Sequence, residues 1–246
     1  MSFNIDKKGI SNGIFSEAGP QSDKLIGWWP LNGDTYDVSD NMYDGINSGA
    51  TIAAGLGQNC YQFDGTNDYI NCGKIPLNSR GFSFSVWIAN TKISNHSFIL
   101  IQSDSMSSNK TLSIGRRDTN NKFTFAFYAD NLNSSSDVTT GGTWQHWVGT
   151  YDSSNKSRKL YLNGNIDNSD TTNDDYLGTN ADLLIGVYEG QSFDFSGKTQ
   201  DIRIYDTSLS ASEVKILYNL TNPEQNQRVI NKDNQLYTKK QFKENL

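Results

Sequence analysis

The sequence is poor in the residues that most often bind metals, form disulfides or catalyse reactions. Its 246 residues include only two histidines, two cysteines and four prolines. His96 and His146 are distant in sequence and no Cys–His spacing occurs, which argues against a zinc site. A G-x-S-x-G elbow and a phosphate-binding P-loop are both missing, which argues against the hydrolases and nucleotide-binding proteins that use them.

Long hydrophobic runs and basic patches are missing too. No apolar stretch approaches the ~20 residues of a membrane-spanning helix, and the N-terminus lacks the apolar core of a standard secretory signal. The net charge is −6 without a basic stripe, which argues against a phosphate-tracking nucleic-acid surface. We expect neither membrane insertion nor a nucleic-acid partner. The protein either stays in the cytoplasm or leaves it by a non-standard route, such as assembly into a virus particle.

Aromatic residues and turn-formers dominate what is present. Phe, Trp and Tyr make up 12% of the chain, among abundant Gly, Asn, Ser and Thr. This composition predicts many short strands joined by polar turns. FSFSVWIA (82–89) alternates, so that Phe82, Phe84 and Val86 share one face of a strand. Asn163-Gly164 predicts a two-residue hairpin turn followed by a further short strand.

One domain flanked by two arms accounts for the pattern along the chain. SASEVKILYNL (210–220) is the one strong helix, with Ser210 as its N-cap and Glu213 completing a capping box. Turn signals about every 8–12 residues are typical of a β-sandwich. We therefore predict an all-β, antiparallel two-sheet jelly-roll sandwich with one short C-terminal helix at residues 25–221. Extended arms are predicted at 1–24 and 222–246.

The two cysteines flank the segment CYQFDGTNDYINC (60–72), which predicts a hairpin centred on Thr66. In such a hairpin Cys60 and Cys72 lie opposite each other, with Cα atoms ~4.5–5.5 Å apart, which permits a disulfide. The alternative is two reduced thiols on neighbouring strands. The reduced form is favoured because no secretory signal points to an oxidising compartment.

The order of five segments resembles the laminin-G-like (concanavalin A-like lectin/glucanase) family across residues 25–220. The departures are Gln200, where the family usually has an aliphatic or acidic residue, and Trp147, where it commonly has an aliphatic one. The resemblance implies a concanavalin A-like jelly roll, a fold that hosts lectins, adhesion modules, glycosidases and structural appendages. The five segments are LIGWWPLNG, YQFDGTNDYINCG, FSFSVWI, WQHWVGTYDSSNKSRKLYLNG and FSGKTQDIRIYDTSLSASEVKILYN.

The resemblance also implies a structural calcium ion. Relatives often hold Ca²⁺ between an early acidic loop and an aspartate of the closing strand, and Ca²⁺ prefers carboxylate and carbonyl oxygens. The alternative is a solvated acidic loop with ordinary Asx-turns. The residues concerned are Asp34, Asp37, Asp40 and Asp44 in the loop, and Asp201 in the closing strand.

Catalysis by a glycosidase mechanism requires two carboxylates close together. The chain has five glutamates, and only Glu189 lies on the predicted β body, without a nearby carboxylate until Asp194. His146 belongs to the family's W-x-H segment and is interpreted as a structural ring rather than a general base. We therefore predict no catalytic residues and no enzymatic activity. Because aspartate can replace glutamate, a polysaccharide-degrading enzyme remains the less favoured alternative.

A carbohydrate site would combine aromatic platforms with side chains that bind hydroxyl groups. The tryptophans are expected in the core or on sheet faces rather than at such a site. The candidate ligand-binding residues are Tyr43, Asn131, Asn133, Tyr176, Asn180 and Tyr188.

Our leading hypothesis is a non-enzymatic binding or structural module on a virion surface. It would be a fibre, tail or capsid-decorating subunit of a bacteriophage that belongs to an oligomer or a larger assembly. In this hypothesis the two arms dock to other virion subunits, and the sandwich displays a surface for glycan or host recognition. The first rival is a secreted lectin-like adhesion domain.

Overall fold

The computed structural model describes residues 19–91, 96–103, 105–117, 120–178, 181–187 and 193–223, and the backbone of two short strands beyond them. A 3-10 helix at Ser22–Lys24 precedes the first strand. Among the described residues, one α-helix occurs, and it is too short and too polar to cross a membrane. Most of the two predicted arms lies outside the described residues.

Two antiparallel sheets form a sandwich, as predicted, with strands numbered in chain order. Sheet 1 runs, in spatial order, through β13 (Asn165–Thr171), β12 (Ser157–Leu162), β11 (Gln145–Asp152), β6 (Phe82–Asn90), β15 (Ser196–Tyr205), β4 (Asn59–Asp64) and β3 (Thr51–Ala54), and β1 (Leu25–Trp29) also pairs with β15. Sheet 2 runs through β10 (Asn131–Asp137), β9 (Lys122–Ala126), β8 (Thr111–Arg117), β7 (Ser97–Ser103), β14 (Leu183–Ile185), β5 (Tyr69–Asn71) and β2 (Ile46–Ser48). Within the part of the chain that the structure describes, β16 (Arg228–Ile230) pairs with β17 (Leu236–Thr238) in a separate two-stranded sheet.

The core lies between the sheets and is rich in aromatic rings. The predicted alternation of β6 is confirmed, because Phe82, Phe84 and Val86 all point into this core. Phe82 meets Phe125 of sheet 2 edge to face, with ring centroids 5.8 Å apart. Such rings each bury a large apolar area, and edge-to-face pairs add a directional preference. The alternation therefore fixes which face of each strand is available outside the sandwich.

Helix α1 (Ala211–Thr221) begins where the sequence predicts. The Ser210 side chain accepts a hydrogen bond from the backbone N–H of Glu213, and the Glu213 carboxylate accepts one from the backbone N–H of Ser210. This capping box satisfies two backbone donors that the first turn would otherwise leave unpaired. The strand predicted after Asn163-Gly164 is also present, as β13.

The hairpin predicted at residues 60–72 is wrong. Strand β4 pairs with β3 and β15 in sheet 1, whereas β5 pairs with β14 and β2 in sheet 2. The turn between them carries the chain from one sheet to the other, and the Asp68 carboxylate accepts a hydrogen bond from the Asp64 backbone N–H at 2.9 Å. Cys60 and Cys72 consequently lie in different layers of the sandwich, and both are free and buried. Burial raises the pKa of both thiols.

Candidate ligand-binding face

The outer face of sheet 1 is covered by α1. Trp87 of β6 stacks on Tyr218 of the helix with ring centroids 5.9 Å apart, and its indole N–H donates to Thr221 Oγ1 at 2.9 Å. Val148 and Leu217 are fully buried in the same layer. A ligand therefore has no access to the centre of this face.

His146 lies inside this covered layer. Its ring packs against Trp87 and Tyr218, with centroids 4.9 and 5.8 Å away, and its Nε2 lies 2.8 Å from Ser85 Oγ. Burial, and then the nearby Arg203 cation, lower the pKa of His146 to about 3. The imidazole is therefore neutral at physiological pH and has the structural position that the sequence interpretation gave it.

The outer face of sheet 2 carries small and polar side chains instead. Leu132 points into the core, so its neighbours Asn131 and Asn133 on β10 point outward. The pairing of β10 with β9, β8, β7, β14 and β5 places one outward residue of each strand in a single row across the sheet. This row is Asn131, Ala126, Ser113, Ile101, Leu184 and Asn71.

A second row begins at Asn133 and ends at an aromatic cluster. The Thr124 hydroxyl donates to Asn133 Oδ1 at 2.7 Å, which fixes the amide beside the floor of the face. Thr124 lies opposite Gly115, and Gly115 lies opposite Phe98. A Cβ at Gly115 would come within 2.5 Å of the Phe98 Cα, so only glycine fits between these strands.

The aromatic cluster consists of Phe98, Phe193 and His96. The ring centroids of Phe98 and Phe193 are 6.3 Å apart, and those of His96 and Phe193 are 4.5 Å apart. Ile101 packs in the same apolar patch on the outer face of β7. The face therefore joins an aromatic patch on β7 to a row of amides and hydroxyls on β8, β9 and β10. These residues together form the candidate ligand-binding face, in which Asn131 is exposed and Asn133, His96 and Phe193 are half-buried, whereas Phe98, Ile101, Ser113, Thr124 and Ala126 are buried.

Two of the predicted ligand-binding residues, Asn131 and Asn133, lie on this face. Tyr43 does not, since its backbone carbonyl accepts the Trp29 indole N–H at 2.8 Å and its side chain packs against the core. Tyr176 requires a correction. It is fully buried, and its hydroxyl donates to the carbonyl and the side-chain oxygen of Gln102. Asn180 and Tyr188 lie outside the described residues.

Sequence reasoning missed Ser113, Thr124, Phe98 and Phe193 as members of the face. A signal for Thr124 was present, because it alternates with core phenylalanines in KFTFAF and must therefore point outward. No comparable signal existed for Phe98, which lies in the continuous apolar run SFILIQ.

The acidic loop after β1 is organised by Asp37. Its carboxylate accepts hydrogen bonds from the backbone N–H groups of Trp28, Ser39 and Tyr43 at 2.8, 2.8 and 2.9 Å. The Asp44 carboxylate accepts from the Asp37 backbone N–H at 3.0 Å. The bond from Ser39, two residues on, is an Asx-turn contact as in the alternative interpretation, whereas the other bonds join more distant parts of the loop and leave Asp37 buried.

Asp201 is buried beneath this loop and already has a cationic partner. Its Oδ1 accepts from Trp28 Nε1 at 2.7 Å and from Arg203 Nε at 2.9 Å, and the guanidinium lies 4.1 Å from the Trp28 ring centroid. Burial raises the pKa of Asp201, and Arg203 opposes that shift. Within the described ranges, no three His, Cys, Asp or Glu side chains gather as a metal site. Asp34, Asp37, Asp40, Asp44 and Asp201 thus do not fit one shared Ca²⁺ site, and calcium binding stays a prediction.

Comparison with known proteins supports the architecture. The model of the concanavalin A-like lectin/glucanases superfamily matches residues 64–215. Domain 4 of AbnA, a GH43 extracellular arabinanase from Geobacillus stearothermophilus solved with arabinotriose, is 22% identical, with a TM-score of 0.66 over 79% of this chain and 98% of that one. No curated protein sequence matches the chain.

Toxin domains share the fold as well. The binding domain of Paraclostridial Mosquitocidal Protein 1 is 17% identical, with a TM-score of 0.64 over 80% of this chain and 52% of that one. The receptor-binding domain of botulinum neurotoxin C/D mosaic serotype is 16% identical, with a TM-score of 0.63 over 85% and 53%. The chain thus spans about half the length of these toxin domains. Likeness at this level of identity establishes the fold.

Proposed function

The chain belongs to the concanavalin A-like lectin/glucanases superfamily, and on that premise we propose that it is a non-enzymatic carbohydrate-binding module. The ligand lies on the outer face of sheet 2. One observation carries this proposal: the outer face of sheet 2, on the side of the sandwich away from α1, has accessible amides at Asn131 and Asn133 and accessible rings at His96 and Phe193, around a buried floor that includes Phe98 and Thr124.

The chemistry of a sugar ring matches this combination. A pyranose or furanose has apolar C–H faces and a rim of hydroxyl groups, so it needs an apolar surface next to groups that both donate and accept hydrogen bonds. The half-buried Phe193, which packs against the buried Phe98, supplies the apolar surface. The amides of Asn131 and Asn133 each offer two donors and an acceptor to the hydroxyls.

Relatives with the same fold support a binding role. The arabinanase domain was solved with arabinotriose, and the two toxin structures are described as a binding domain and a receptor-binding domain. We extend from these proteins only the use of the sandwich as a binding surface.

The carboxylates beside the face support the non-enzymatic part of the proposal. Asp130 directly precedes β10, and together with Asp170 it holds the buried Arg158 guanidinium, at 2.6 and 2.7 Å from Nη2. Both acids are therefore committed to an ion pair with Arg158. A glycosidase would need its two acids free to act on the sugar.

We also propose that the module is displayed on a virion surface, with the arms at 1–24 and 222–246 docked to other virion subunits. The acidic net charge and the position of both arms outside the family match support this placement. Mass spectrometry of purified particles and immunogold labelling of their surface test it. Recovery of the protein only from particle-free medium would instead favour a secreted lectin-like adhesion domain.

The binding proposal is tested with a glycan array followed by calorimetry on the best ligand. We expect Asn133→Ala to weaken binding about five- to tenfold, corresponding to the loss of one or two hydrogen bonds. Asn219→Ala is the matched control, because Asn219 is an exposed asparagine on α1, on the other side of the sandwich. Equal affinity of both variants would disprove this location. Release of reducing ends from the bound polysaccharide would disprove the non-enzymatic role.

A further inference from the structure

The two lateral edges of the sandwich are built differently. At one edge β10 and β13 come together, and the Asp167 carboxylate accepts hydrogen bonds from the backbone N–H groups of Ser135 and Ser136 at 2.6 and 3.1 Å. Arg158, with Asp130 and Asp170, ties the same edge together. This edge is charged and its backbone groups have partners across the two sheets.

At the opposite edge, β2 and β3 are the outermost strands of their sheets. Among the described strands each pairs with one neighbour, so alternate backbone N–H and C=O groups face away from that neighbour. Proteins usually protect such an edge with lysine, proline or a bulge. Strand β3 is Thr-Ile-Ala-Ala and itself contains none of these. Lys198 from β15 covers the Ala54 carbonyl, so pairing with another strand would be centred on the outward groups of Ile52.

Exposed apolar side chains lie on both outermost strands of this edge. Ile52 on β3 is 55% exposed and Ile46 on β2 is 72% exposed. They are two of the eight large hydrophobic residues that are exposed in the described ranges. An exposed isoleucine on an outermost strand favours pairing with another chain.

Charge identifies the partner. Residues 45–63 contain no charged residue, although charged residues make up 20% of the chain. Two copies with a net charge of −6 repel each other wherever their acidic surfaces meet. Residues 45–63 therefore allow two copies to meet without opposing carboxylates, and the Lys198 ammonium that reaches β3 is hydrogen-bonded to the Ala54 carbonyl.

From these observations we infer that β3 pairs with β3 of a second copy across a two-fold axis, and that sheet 1 continues through the dimer. A two-fold contact brings the same surface of each copy together, and antiparallel pairing of a strand with itself has this symmetry.

The hydrogen-bond pattern between β3 and β4 indicates the register of the proposed β3–β3 pairing. Gly55 N–H donates to Gln58 C=O at 2.9 Å, so by alternation Ala53 and Thr51 direct their backbone groups to β4. Ile52 then directs its own groups outward, and the Ala54 carbonyl accepts from Lys198 Nζ at 3.2 Å. A register centred on Ile52 gives two reciprocal backbone hydrogen bonds and places the two Ile52 side chains opposite each other.

Sedimentation velocity of the full chain over a concentration series tests the inference. We expect a concentration-dependent dimer that Ile52→Lys weakens by about tenfold or more, because two lysines would face each other at the axis. Ile216→Lys is the matched control, since Ile216 is also 55% exposed but lies on α1. It should leave the dimer intact.

A second variant separates the interface from misfolding. Ile52→Pro removes the outward N–H and leaves the β4 ladder in place, so it should also give a monomer with an unchanged circular dichroism spectrum. A wild-type protein that stays monomeric at every concentration would overturn the inference. So would a dimer that persists in both Ile52 variants. Glycan binding by the monomeric variants is an independent readout, because the ligand-binding face does not include β3.

Discussion

The outer face of sheet 1 carries apolar residues such as Trp87 and Val148, and α1 covers them. The outer face of sheet 2 carries small and polar residues such as Ser113, Thr124 and Asn131, next to one aromatic patch. Both faces follow the same alternation of strand residues. The difference lies in what each face needs: an apolar face must be buried, whereas polar side chains can remain in contact with water. Sheet 1 thus contributes to stability with both faces, whereas the outer face of sheet 2 keeps accessible amides at Asn131 and Asn133 beside the buried Ser113 and Thr124.

If α1 stabilises the fold by burying the outer face of sheet 1, disrupting its packing should be the most destabilising change. Leu217→Ala leaves a cavity under α1, because Leu217 is fully buried against the outer face of sheet 1. We expect the free energy of unfolding to fall by about 2–5 kcal/mol in urea denaturation. Ile216→Ala, at the exposed neighbouring position, should change it by less than about 0.5 kcal/mol. A small effect of Leu217→Ala would show that α1 is not an essential cover.

The pH dependence of the free energy of unfolding should report on His146, which is buried between sheet 1 and α1. The folded-state pKa of His146 lies near 3, below its ordinary value of 6.5, so below pH 6.5 the unfolded chain takes up a proton that the folded protein does not. The free energy of unfolding should therefore fall by about 2 kcal/mol between about pH 6.5 and 5. In His146→Phe, which keeps a ring between Trp87 and Tyr218, this decrease should disappear. If the free energy of unfolding of His146→Phe still falls by this amount between pH 6.5 and 5, a group other than His146 is responsible.

The first turn of α1 should contribute less to the free energy of unfolding than the buried centre of the helix. Ser210→Ala removes the side-chain acceptor for the Glu213 backbone N–H, and we expect a loss of about 1 kcal/mol. Hydrogen exchange should increase in the first turn of α1 but not in β8 or β9. Asn219→Ala serves again as the control, since it alters the helix surface without touching the cap.

The smallest effect on stability is expected on the ligand-binding face. Asn131→Ala should change the free energy of unfolding by less than about 0.5 kcal/mol, because Asn131 is exposed. Its glycan affinity should nevertheless fall several-fold. If Asn131→Ala lowers the free energy of unfolding but leaves glycan affinity unchanged, the proposed binding role of this face of sheet 2 is contradicted.

Local patterns predicted the strands but not their assignment to sheets. Phe82, Phe84 and Val86 alternate within a single strand, and Ser210 caps its own helix, so both features could be read from neighbouring residues. The segment 60–72 was misread as a hairpin because β4 and β5 are close in sequence, whereas their partners β15 and β14 are far along the chain. Sheet assignment depends on pairings at long range, which a local pattern does not contain.

The candidate site was predictable to a similar extent. Asn131 and Asn133 could be proposed as polar residues of the sandwich, but their proximity to Phe98 depends on the registers of three strand pairs. Tyr176 appeared suitable for a ligand, and only the position of Gln102 explains why its hydroxyl is buried. In this protein the residue types of the site are visible in the sequence, and their arrangement is decided by non-local packing.

The position of β15 has a consequence for how the molecule is made. Its residues pair with β1, β4 and β6, and Leu25 lies opposite Tyr205. During synthesis, β1 therefore remains unpaired until almost the whole domain has been translated, because its partner β15 leaves the ribosome late. Non-local pairing of this kind slows folding and leaves apolar strands exposed to aggregation in the meantime. Nascent chains that end before Ser196 should hold LIGWW without its native partner, and stable folding should begin only after translation has passed β15.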